Sequence, residues 1–148
     1  MTLRLEKIEK GLVQKLRLVN EEQRANAVKV ACLLAFQACP VEESIVVECL
    51  RRLRSGHKIT NNQVSELNAL AAQLDDKYFE SQDSLDEGQK LNVEGLQLFG
   101  QARAVSALSL AGGEDSLTAA TEAIYEAFSA VDDATHIFKA VLSVLQES

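Results

Sequence analysis

Apolar side chains recur along this chain at steps of three and four residues, and no stretch alternates in the way a strand would. That spacing gathers them on one face of an α-helix. Leu5, Ile8, Leu12, Leu16 and Val19 predict a first helix over 3–18. Asn20, followed three residues later by Gln23, has the spacing of a capping box. It opens a second helix to 39, with Ala27, Ala31, Leu34, Ala35 and Ala38 inward. Pro40 stops that helix, because its ring blocks continuation. A third helix over 41–54 carries Glu42 and Glu43 in its first turn and Arg51, Arg52 and Arg54 in its last, which complements the macrodipole. Gly56 suits the left-handed position beyond it. Thr60 or Asn61 then caps a fourth helix to 74, with Val64, Leu67, Leu70, Ala71 and Leu74 inward.

The stretch 75–90 reads as an irregular acidic connection with aromatic residues in it. A fifth helix over 90–111 is crowded with small residues, among them Gly95, Gly100, Ala104 and Ala107, and ends at Gly112-Gly113. The final segment has the clearest pattern. Leu117, Ala120, Ile124, Ala127, Val131, Ala134, Phe138, Val141 and Leu145 form an unbroken stripe. One helix over 117–145, capped by Asp115 or Ser116, would be roughly 45 Å long. Asp132-Asp133 interrupt the stripe with residues that also cap helices, but its phase is kept, so a continuous helix is expected. The whole pattern predicts one all-α domain over 1–148, a bundle of about six helices with a long C-terminal helix.

Composition narrows the core. Apolar residues are 47% of 148, aromatics are 5% and tryptophan is absent, so the core must be aliphatic and alanine-rich. The longest apolar run, 30–36, falls far short of the roughly 20 residues a membrane span needs. The start, Met1-Thr2-Leu3-Arg4-Leu5-Glu6-Lys7, lacks the basic leader and apolar run of a signal peptide. Cys32, Cys39 and Cys49 are odd in number and without CxxC spacing, which suits a reducing cytoplasm. Cys32 and Cys39 lie seven apart on one helix face and should be buried and reduced, leaving Cys49 as the more exposed thiol. His57 and His136 stand isolated, so neither a metal centre nor a cofactor is implied.

Charge is uneven. Residues 1–58 carry eleven Lys/Arg against seven Asp/Glu, and residues 59–148 carry four against fifteen. The net of −7 opposes a general nucleic-acid binder and favours a basic protein partner. Asp75, Asp76, Tyr78, Phe79, Glu80, Asp83, Asp86 and Glu87 form the candidate partner-binding surface, since aromatics set among charges are favoured anchors. An EF-hand fits the same stretch only in part. From Asp83, Glu87, Gly88 and Glu94 fall at positions 5, 6 and 12, but Leu85 takes a ligand position. Arg51, Arg52, Arg54 and Lys58 form a candidate basic patch. The following helix, 62–74, has no Lys or Arg, which opposes a DNA-reading helix-turn-helix. Adjacent carboxylates such as Asp132-Asp133 point apart on a helix, and the Glu-x-x-His spacing of di-metal bundles occurs once, as Asp133-x-x-His136. No phosphate loop or nucleophile elbow is present.

The runs Leu74-Asp75-Asp76-Lys77-Tyr78-Phe79-Glu80 and Phe99-Gly100-Gln101-Ala102-Arg103-Ala104-Val105-Ser106-Ala107-Leu108 are faintly similar to small, alanine-rich bacterial helical proteins of the immunity type. The resemblance covers about a third of the chain and implies a domain that binds and neutralises a toxin. The expected reading is a non-enzymatic protein-binding domain, with an immunity-type inhibitor as one form. The rival is a helical-bundle enzyme or small-ligand-binding protein with a core pocket. No nucleic-acid or membrane partner is expected. The protein is a monomer if the helix over 90–111 alone covers the terminal stripe; a homodimer through the terminal helices is favoured, with Ile137 on the outer edge of the apolar face made by Phe128, Ile137 and Leu142.

Overall fold

The computed structural model describes residues 4–5, 9–83, 93–113 and 116–146. Seven helices are described: α1 (Lys10–Leu18), α2 (Glu21–Ala38), α3 (Ser44–Arg54), α4 (Asn61–Asp83), α5 (Val93–Ala111), α6 (Leu117–Ser129) and α7 (Thr135–Gln146). Arg4 and Leu5 are helical too, and the Leu5 carbonyl accepts from the Glu9 N–H. Among the described residues there is no strand, and no helix is long and apolar enough to cross a membrane.

Local chemistry sets most boundaries. The Asn20 side chain accepts from the Gln23 N–H at 2.8 Å and starts α2. Thr60 and Gln63 form a reciprocal capping box at the start of α4. Ser116 accepts from the Ala119 N–H and starts α6. Gly56, at φ 76°, is the left-handed residue that turns the chain after α3.

The first helix begins at Lys10, not 3, because Glu9 at its N-cap leaves helical conformation at φ −142° and ψ 75°. Beyond it, the expected boundaries need three corrections. The third helix begins at Ser44, not 41: residues 40–43 are non-helical, with Glu43 at φ −56° and ψ 136°, and Gln101 of α5 donates to the Pro40 carbonyl. Glu42 and Glu43 therefore precede its first turn. The fourth helix continues from 74 to Asp83, so the first part of the supposed irregular connection is helical. Residues 84–92, including Leu85, Asp86, Glu87 and Gly88, lie outside the described residues.

The third correction is the largest. The terminal helix is two helices, broken at 130–134, which raises the count from about six to seven. Asp133 accepts from the Thr135 backbone N–H and hydroxyl, so an aspartate caps α7. The Phe128 and Phe138 rings meet edge to face across the corner, with centroids 6.4 Å apart.

The core surrounds α5. Gly95, Gly100, Ala102, Ala104, Val105, Ala107, Leu108 and Ser109 are buried around almost its whole circumference, as suits a central helix. α5 packs on α4 in an antiparallel hairpin, with Ser109 beside Asn68, Arg103 beside Asp75 and Phe99 beside Tyr78. α6 also packs against α5, while α2 contacts α5, α6 and α7. Small residues allow these backbones to approach closely: Cys39 of the α2 end donates to the Ala130 carbonyl at 3.2 Å directly over Gly100.

Ile137 is only 2% exposed and, with Val141 and Leu145, faces into the bundle. A homodimer held by an outer edge at Ile137 therefore loses its premise. Ile137→Lys would break the core rather than probe an interface.

Candidate interaction surface

The second half of α4 places the acidic and aromatic residues in two groups. Asp75, the innermost acid, is committed to the fold. Arg103 grips its two oxygens at 2.8 and 3.0 Å and donates a further bond to Glu126 at 3.1 Å. Glu126 also accepts from Arg4 at 3.0 Å, and Arg4 pairs with Glu122. The result is a continuous charge chain, Asp75–Arg103–Glu126–Arg4–Glu122, joining α4, α5, α6 and the N-terminal turn. Its centre is buried: the Glu126 side chain is 6% exposed. Hydrogen bonding to Glu122 is the main influence raising the Arg4 pKa above its ordinary value, so Arg4 stays charged. Sequence reading missed Arg4, Arg103 and Glu126, whose pairing depends on contacts distant along the chain.

The second group faces outward. Tyr78 is half-buried, and its ring lies 5.4 Å from both the Phe79 and Phe99 centroids. Phe79 is 59% exposed, Phe99 36%, Leu96 49% and Val93 79%. Val93, Leu96 and Phe99 follow at three-residue steps along α5 and continue the patch begun by Phe79. Asp76 and Asp83 stand three residues before and four after Phe79 on the same helical face, and both are exposed. Glu80 and Glu94 are exposed beside the patch. The hairpin thus presents an apolar and aromatic ridge with a carboxylate rim. Other exposed large apolar residues, Leu18 and Val47, lie on other helices. Phe79 was anticipated from sequence. Val93, Leu96 and Phe99 were not, because their spacing reads equally well as a core face.

The basic patch divides in the same way. Arg52 donates to the Lys58 carbonyl at 2.6 and 2.9 Å and so closes the turn between α3 and α4. Arg51, Arg54 and Lys58 remain exposed. Among the described residues, no group of three or more His, Cys, Asp or Glu is placed to hold a metal ion.

Two of the three thiols depart from expectation. Cys32 and Cys49 are fully buried, while Cys39 is half-buried. Cys49 belongs with Val46 and Leu50 to the inward face of α3, which outweighs its closeness to the basic end. Burial pushes the Cys32 thiol up to about 12, and burial followed by the nearby Asp132 charge raises Cys39. Native labelling with N-ethylmaleimide at neutral pH, followed by mass spectrometry, should modify Cys39 first and leave Cys32 and Cys49 protected. Early labelling of Cys49 would contradict its placement.

Comparison with known proteins adds no functional assignment: no family model, curated protein or solved structure matches the chain.

Proposed function

We propose that this chain is a non-enzymatic protein-binding domain that takes a basic, apolar-faced partner on the α4–α5 hairpin. The observation that carries this reading is the exposed row of Phe79, Val93, Leu96 and Phe99 with Asp76, Glu80 and Asp83 at its edge. Rigid aromatic anchors supply binding energy when buried, and a charged rim supplies orientation and rate. The net charge of −7 has the same sign as the rim and steers basic partners toward it. A helical partner suits the ridge, because its apolar positions at three- and four-residue steps can follow the row. The resemblance to immunity-type proteins gives this reading one biological form, an inhibitor docked on a basic toxin.

An amphipathic leucine–lysine model helix, labelled for fluorescence anisotropy, tests the surface directly. The parent should bind it saturably, and raised salt should weaken binding. Phe79→Ser combined with Leu96→Ser, at exposed positions, should keep the helical content and weaken binding about tenfold or more. Equal binding by the folded double variant would overturn the assignment of this surface.

A further inference from the structure

A concavity lies beside the N-terminal turn at the corner between α6 and α7. It has a volume of about 590 Å³, within the range of small-molecule sites. Tyr125, Phe128 and Phe138 line it, together with the acidic residues Glu9 and Asp133. Both bonds from Thr135 end on Oδ1 of Asp133, so Oδ2 takes no part in capping. Those same bonds hold the Asp133 carboxyl below its usual range, so it is charged at neutral pH.

Among the described residues Arg4 is the one cation in the lining, and its charge is matched by Glu122 and Glu126. Its guanidinium carbon sits 4.2 Å from the centroid of Tyr125, so the chain already places a cation of its own on this wall. Carboxylates oppose an anion here, and aromatic rings offer a bare metal ion no ligands. Lys139 also acts on the Asp133 charge from nearby, and rings beside these carboxylates suit a cation clothed in carbon.

We propose that this cleft binds a small alkylammonium ion, with its methyl or methylene groups against Phe128 and Phe138 and its charge facing Asp133 and Glu9. This site is separate from the α4–α5 ridge and does not depend on it.

Choline is the probe, and dimethylbutanol, its uncharged carbon isostere, is the control. Calorimetric and NMR titrations of the full chain should show saturable choline binding, with the alcohol about tenfold weaker or worse. Asp133→Asn keeps a helix-capping side chain while removing the charge, and should weaken choline binding about tenfold. If that variant does not fold, Glu9→Gln carries the same expectation. Equal affinity for choline and the alcohol would overturn the proposal, as would choline that never saturates. Parent-like choline binding by the folded charge-removed variant would also overturn it.

Discussion

Glu126→Ala should lower the unfolding free energy by about 3 kcal/mol, the low end for breaking a buried ion pair. The carboxylate lies between two guanidinium groups, and its side chain is 6% exposed. Its loss strands part of the charge of Arg103, a side chain only 21% exposed whose buried Nε already has no hydrogen-bond partner among the described residues. Asp75 still holds the other end of that guanidinium, and Arg4 is half exposed, so the cost stays near 3 rather than 5 kcal/mol. Glu122→Ala is the internal comparison. It removes a more exposed partner of Arg4 and should cost about 1 kcal/mol or less. Urea unfolding of both variants checks the order, and a Glu126→Ala loss under about 1 kcal/mol would contradict the network's role.

Gly100→Val should cost about 3 kcal/mol, from overpacking between helices. A Cβ at this position would stand 2.7 Å from the Ala130 carbonyl oxygen and 2.8 Å from Cys39 Sγ. Neither neighbour yields easily, since one is backbone and the other is hydrogen-bonded to it. Alanine would regain about 1 kcal/mol of helix propensity, whereas valine gains less and adds two methyl groups to the clash. Gly11 supplies the opposite case. It lies in α1 with nothing within 4 Å of its added Cβ, so Gly11→Ala should stabilise by about 1 kcal/mol. Thermal unfolding should move the two variants in opposite directions; a parent-like Tm for Gly100→Val would mean that α5 and the 130–134 turn separate without cost.

The features legible in the sequence are those decided within a few residues. Asn20, Gly56, Thr60 and Ser116 act through neighbours three positions away, and each sits where its local chemistry requires. The break after α6 was hidden because both halves of the stripe face one core, so the phase survives a corner. The capping residue Asp133 was the local sign of it. The extension of α4 to Asp83 was hidden by polarity: Asp75 turns inward to meet Arg103, a partner known only once α5 is in place. The charge chain has the same cause. Arg4 meets Glu126 from the other end of the molecule, a separation that no helical period encodes. At the interaction surface, Phe79 and its flanking acids were readable as composition. The contribution of α5 required knowing which part of a largely apolar helix is left uncovered.

Glu126 also makes thermodynamic neighbours of residues that do not touch. Arg4 and Asp75 share no bond, yet the worth of each depends on how Glu126 divides its two oxygens between Arg4 and Arg103. A change in charge at Asp75, on the helix that carries Phe79, therefore alters the grip on the N-terminal turn that borders the aromatic cleft. Substitutions at the two places will not act as independent increments. Asp75 and the N-terminal turn belong to one energetic unit, and what is done to either is felt through a single carboxylate.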